Sequence, residues 1–330
     1  VILIAMTLWS IFTFTTGHAS TLAGLLFLRF VFGLCEGPYA GSCYRAIAEY
    51  FPRELRPAFA TGILSSNYIG SAIAPVIIVP LILWFGWRGM FQILGVIGLV
   101  YVFFYALFVK QTKPKEEKAA DKGNKTKHFL HLMKYSMSWK LVLCAFCISC
   151  INKGLDAWMP TYLIAERGIN LKAVGYLTPI PFIASFLSTA ICGWVMNKYF
   201  DKKEHYMIVI CAAMTAIFLY FMYNAETIMW VVIFQCGVYF FKACIMGTAV
   251  AIVLKIVTGS ISGSATTLIN MGGQVAGFIS PMVMGYLVYA FNGSFNAVFY
   301  YLMGVATLCA VSAFLIPKRK EDMLDVGEDE

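Results

Sequence analysis

Apolar runs of about 20 residues, each closed by a short polar, Pro- or Gly-containing stretch, recur along the chain, and no ten-residue strand-like alternation appears. They predict ten membrane-spanning helices, at 1–17, 21–44, 58–84, 89–109, 139–164, 172–197, 206–223, 228–254, 264–290 and 295–316. Gly86-Trp87-Arg88-Gly89 predicts a tight connection between the third and fourth spans, and Pro52 and Pro57 mark the stop after the second. The pattern fails at 110–138, where Lys110, Lys113, Lys115, Lys118, Lys122, Lys125, Lys127 and Lys134 stand among few apolar residues. That stretch reads as a hydrophilic linker. The expected architecture is all-α and integral to a membrane: a half-bundle over 1–109, a linker over 110–138, a six-helix bundle over 139–317 and a tail over 318–330.

One run carries charges in its interior. Arg29 and Glu36 sit in the 21–44 span, seven residues and roughly 10 Å apart along the axis, so they share a face. A charge at the bilayer centre costs roughly 2.5–3.5 kcal/mol or more, so that face turns from lipid toward protein or a watery path. A substrate or proton pathway is the functional reading; a buried ion pair that fixes helix packing is the bland one. Gly33, Gly37 and Gly41 form a small-residue stripe on the same helix, suited to close approach of a neighbour.

Composition agrees with the pattern: 60% of the 330 residues are hydrophobic and 13% charged, outside the soluble globular class. The net charge of +8 points to topology rather than to nucleic acid. With alternating spans, loops 52–57, 110–138, 198–205 and 255–262 and the tail hold nearly all the Lys and Arg, whereas the opposite loops offer Arg88, Arg167 and Lys172. The first group and the C-terminus are therefore expected to be cytoplasmic, in a multi-pass protein of the plasma (inner) membrane. The ten cysteines fall in predicted spans and read as small apolar packers, including the C-x-x-C-x-x-C run at Cys144, Cys147 and Cys150. No metal and no cofactor are expected.

Asn67-x-x-Gly70 before Pro75 recurs as Asn270-x-x-Gly273 before Pro281, which suggests two homologous half-bundles and, by symmetry, two helices preceding Val1. Together with Leu8-Trp9-Ser10, Arg29-x6-Glu36-Gly37, Tyr50-Phe51-Pro52-x3-Arg56, Gly86-Trp87-Arg88-x2-Phe91, Trp158-x-Pro160-Thr161-Tyr162-Leu163, Gly193-x3-Asn197-Lys198-x2-Asp201-Lys202 and the Asn270 to Gly285 run, the chain resembles the major facilitator superfamily. Within it the resemblance is to the anion:cation symporter branch of galactonate, hexuronate and glucarate permeases. It implies a two-bundle fold of twelve helices, of which the first two, with an acidic and a basic binding residue, are expected to be missing, so that Val1 begins the third helix. Pro57 stands where that family usually has glycine, a change expected to affect loop stiffness only.

The resemblance casts Glu36 as the proton-coupling carboxylate and Arg29 as its regulator or a contact of the anion; a guanidinium stays charged and its fork suits a carboxylate. Asn67 and Asn270 match polar positions that contact substrate hydroxyls or carboxylate, against interhelical hydrogen bonding as the alternative. Lys153 and Lys242, central in apolar spans, are read as anion contacts, with Asp156 beside Lys153 on one helical face. The competing reading is a structural Lys153–Asp156 pair and a snorkelling Lys242. Arg45, Glu49, Asp156, Trp158 and Tyr162 are gate or cavity candidates. The expected function is proton-coupled symport of a small organic anion, a sugar acid such as a hexonate, hexuronate or glucarate, by a monomer in the bilayer. Aromatic or other carboxylates, anion exchange, a non-transporting sensor of the same fold, and a fragment without activity of its own compete with it. An intramembrane enzyme does not fit, because His18, His128, His131 and His205 all lie in loops or at their edges.

Overall fold

The computed structural model describes residues 2–50, 56–109, 133, 136–200, 203–256 and 262–316. All regular structure among them is helical: α1 (Ile2–Thr16), α2 (Leu22–Tyr50), α3 (Arg56–Phe108), α4 (Ser136–Ala165), α5 (Leu171–Leu177), α6 (Pro179–Tyr199), α7 (Glu204–Tyr223), α8 (Ile228–Ile256), α9 (Ser262–Ala290) and α10 (Asn296–Phe314). Long helices are what these runs dictate, since within a bilayer every backbone N–H and C=O has to be satisfied inside its own segment. Seven of the described helical stretches are long and apolar enough to cross a membrane. The lysine-rich linker and the tail lie outside the described residues, apart from isolated positions such as Met133 and, at the linker's C-terminal end, the first turn of α4.

Two breaks bring helix number and predicted spans together. α3 is two helices in one run, interrupted at Gly86 alone, whose φ of 68° and ψ of 171° belong to glycine. The 172–197 span, by contrast, is broken where none was expected. α5 ends at Leu177 and α6 starts at Pro179, which takes the first helical position because it has no N–H to leave unpaired. Thr178 closes the step, its N–H and its hydroxyl both donating to the carbonyl of Val174.

The chain forms two compact units, Val1–Glu116 and Glu117–Glu330. In the first, α1 packs against both α2 and α3. The close contacts are made by glycines of α3: a Cβ on Gly95 would stand 2.6 Å from the backbone nitrogen of Phe14, and one on Gly98 2.5 Å from Ser10 Oγ. Two members of the expected stripe on α2, Gly33 and Gly37, make no such contact, with nothing within 4 Å among the described residues; the side-chain position of Gly41 lies outside them. Gly95→Ala should therefore destabilise by about 1–3 kcal/mol, since the obstruction is backbone and cannot swing away. Gly33→Ala should be silent; equal thermal midpoints for the two variants in detergent would refute this packing.

In the second unit α4 lies along α9 on a seam of small residues. A Cβ at Gly272 would meet Val142, at Gly273 Ser149, at Gly277 Lys153, at Gly285 the Trp158 ring and at Gly154 Ser280 and Met284. Ser280 Oγ also donates to the Cys150 carbonyl at 2.8 Å. The core holds Leu141, Ile151, Ile208, Leu219, Tyr239, Ile245 and Leu302. Cys144, Cys147 and Cys150 are packers here: all are buried, and Cys144 Sγ lies 3.5 Å from Ser312 Oγ on α10. Cys192 and Cys244, however, join α6 to α8 as a disulfide, which corrects the reading of all ten cysteines as apolar packers. Two serines of α6 reach the same helix, Ser185 Oγ donating to the Tyr239 carbonyl at 2.9 Å and Ser188 Oγ to that of Phe240 at 2.6 Å.

Candidate functional site

In the first unit the candidate residues gather on α2. Its Leu26, Phe30 and Leu34 are exposed at four-residue spacing, the polarity that lipid requires. Arg29 faces elsewhere, with its guanidinium carbon 4.6 Å from the ring centre of Phe91 on α3 and 5.3 Å from that of Phe32. The rings hold the cation by their π faces. Its Nη2 atom is buried and has no hydrogen-bond partner among the described residues. Glu36 lines a cavity of about 280 Å³ with Trp9, Ser10 and Thr13 of α1, Phe32 of α2, and Leu94 and Gly98 of α3. No ion pair joins Arg29 to Glu36 among the described residues. The bland reading of these two charges as a packing pair is thus not what the structure contains.

The same residues explain two of the sequence motifs. Trp9 and Ser10 become cavity wall, with Trp9 edge-on to Tyr39 at 4.7 Å, and Phe91 becomes the floor beneath Arg29. Asn67, on α3, is exposed on a surface that its own unit leaves open. Arg45 and Glu49 belong to the last turns of α2, but their side chains lie outside the described residues.

In the second unit the structure regroups the charges. Asp156 pairs with Lys242 of α8 across 3.4 Å, and not with Lys153 of its own helix. Tyr239, one turn before Lys242, completes the group: its hydroxyl donates to Asp156 Oδ1 at 2.7 Å, and Lys242 Nζ stands 3.2 Å from its ring centre. Lys242 does not snorkel; it is 2% exposed, whereas Asp156 is 28% exposed. Sequence reasoning passed over Tyr239, although an aromatic residue at i−3 from a buried lysine was a usable signal. Lys153 is exposed, its stem laid against Gly277, and Asn270 is exposed on α9.

Trp158 and Tyr162 serve packing in this structure. The Trp158 indole N–H donates to the Pro281 carbonyl at 3.0 Å, and the ring is edge-on to Phe295 at 6.1 Å. Tyr162 is 3% exposed, its hydroxyl accepting from Arg167 Nε at 2.8 Å. Next to it Glu166 accepts the Phe295 N–H at 3.2 Å, capping the start of α10.

The sequence profile of the Major Facilitator Superfamily matches residues 1–241 and 205–329, so the two matches together span almost the whole chain. The chain belongs to that superfamily. Members of the superfamily cross the membrane many times, and the described apolar helices make this chain a multi-pass membrane protein of the transporter class, not an enzyme. A probable sulfoacetate transporter of Cupriavidus necator is 27% identical over 98% of this chain and 80% of its own length. A hexuronate transporter of Bacillus subtilis is 26% identical over 94% of the chain and 76% of its length. A probable galactarate/D-glucarate transporter of Escherichia coli is 25% identical over the same shares, 94% and 76%. Among solved structures, an inward-facing, occupied bacterial homologue of the human lysosomal transporter Spinster shares the superfamily fold, with TM-score 0.67 at 15% identity over 96% of this chain and 79% of that one.

Proposed function

We propose that the protein is a proton-coupled symporter of a small organic anion, a sugar acid such as a hexonate, hexuronate or glucarate, working by alternating access. The observation that carries this reading is Arg29, a cation within an apolar helix whose Nη2 is buried without an acceptor and which is not paired with Glu36 among the described residues. A guanidinium left in that state is a site for an anion. The relatives' names add the class, since each is called a transporter of a carboxylate- or sulfonate-bearing molecule.

In the proposed cycle Glu36 takes a proton in its cavity as the anion binds; the proposed anion contacts are Arg29 and Asn67 in the first unit and Lys153 and Asn270 in the second. Loss of the proton on the cytoplasmic side weakens anion binding. By linkage, whatever raises anion affinity on protonation raises proton affinity on anion binding. The lysine-rich 110–138 segment supports a cytoplasmic C-terminus in the plasma (inner) membrane. The protein is taken to act as a monomer without a cofactor, driven by the proton gradient.

The test is uptake of labelled sugar acids and aromatic acids by proteoliposomes, with and without an inward proton gradient, for the unaltered protein and Glu36→Gln. Gradient-driven accumulation should vanish in Glu36→Gln while exchange at equal pH survives. Uptake that ignores both the gradient and the substitution would point to exchange and return Glu36 to a structural role.

A further inference from the structure

Asp156 and Lys242 are placed for roles opposite to those their charges first suggest. Lys242 is closed in by the Asp156 carboxylate at 3.4 Å and the Tyr239 ring at 3.2 Å, and with 2% exposure it offers nothing to an arriving anion. Asp156 is the accessible partner at 28%. Its Oδ1 receives both Tyr239 and Lys242, while its Oδ2 makes no hydrogen bond among the described residues. One turn earlier on α4, Lys153 is exposed and has no ion-pair partner among the described residues. Residues three apart on a helix place their Cβ atoms about 5–6 Å from one another. At mid-span, then, the second unit presents an ammonium and, beside it, a carboxylate oxygen.

A carboxylate oxygen accepts hydrogen bonds and repels a second carboxylate. The molecule that fits the pair carries a carboxylate for Lys153 and, one or two carbons away, a hydroxyl for Asp156. We propose that Asp156 is the residue by which this protein distinguishes hydroxylated from unhydroxylated carboxylates: it accepts a substrate hydroxyl beside the substrate carboxylate held by Lys153. Lys242 and Tyr239 are positioning residues behind it, balancing its charge and fixing its rotamer without touching the substrate. The inference rests on the organic-anion reading above and narrows it to hydroxy acids, since an unhydroxylated aromatic acid or alkyl carboxylate has no donor for Asp156.

Calorimetric dissociation constants for galactonate and hexanoate on the purified protein test it, in the unaltered chain and in the double variant Asp156→Leu/Lys242→Met. The double variant removes acceptor and buried cation together, so no charge is stranded and the fold is retained; a thermal midpoint checks this. Loss of a hydrogen bond to a charged acceptor should weaken galactonate at least about tenfold, and hexanoate binding should be unchanged. Lys242→Met alone, which keeps the acceptor but frees its rotamer, should lower the galactonate preference by less. A preference that is unchanged in the double variant, or lost because both ligands weaken alike, overturns the assignment. Failure of the unaltered protein to bind galactonate would overturn it together with the anion reading, whereas binding without transport would defeat the transport reading alone.

Discussion

Arg29→Gln should weaken binding of an organic anion by roughly thirtyfold or more, because truncating one member of a buried charge-to-charge contact costs about 2–5 kcal/mol. The structure gives this expectation its geometry. Phe91 and Phe32 hold the guanidinium at 4.6 and 5.3 Å from their ring centres, and Nη2 is buried with no acceptor among the described residues. An ionic donor in that state gains from any anion that reaches it. Arg29→Lys keeps the charge and loses both the planar fork and the ring stacking, so its affinity should lie nearer to that of Arg29→Gln than to that of the unaltered protein. Titration calorimetry with galactonate decides the matter, accompanied by a melting curve. Unaltered affinity in Arg29→Gln would make the residue a packing element on Phe91.

Asp156→Ala carries the largest expected stability effect. It would leave Lys242, 2% exposed, without its counter-charge and Tyr239 without its acceptor. Removing one partner of a buried pair costs about 3–5 kcal/mol. Lys242→Met should cost less, because the half-open Asp156 can turn to water for the lost interaction. The double variant Asp156→Ala/Lys242→Met should recover most of the single loss, which is the signature of coupling between neighbours. Denaturant unfolding in micelles measures all three. If the double variant is no more stable than Asp156→Ala, the two residues do not form an energetic pair.

The helical frame was legible because lipid demands long apolar runs, and such runs are visible residue by residue. The Gly86 break was legible for the same reason, since a tryptophan and an arginine beside a glycine interrupt an apolar pattern that is otherwise continuous. Arg29 and Glu36 stood out by their cost. What the sequence could not show is which way a helix is turned once apolar residues surround it on all sides. Lys242 and Asp156 are 86 positions apart, and nothing along α8 marks the face that meets α4, so Lys242 looked solitary and Asp156 looked like the partner of Lys153. The Cys192–Cys244 disulfide escaped for that reason too, being separated by 52 positions on two uniformly apolar helices. The glycines of α2 misled in the other direction. A small-residue stripe permits close packing without naming a neighbour, and the closest glycine contacts described in this unit are made by Gly95 and Gly98 of α3 and by Gly17 after α1.

The two serine bonds from α6 to the carbonyls of Tyr239 and Phe240 bear on the charge pair ahead of them. They grip α8 at the turn from which Tyr239 and Lys242 project, so the group formed by Asp156, Tyr239 and Lys242 is oriented by the packing of α6 on α8. Such a group has little reorganisation left to do when a solute arrives. The rotamer entropy of Tyr239 and Lys242 is therefore lost in folding, and what they fix in advance is the orientation of the Asp156 carboxylate.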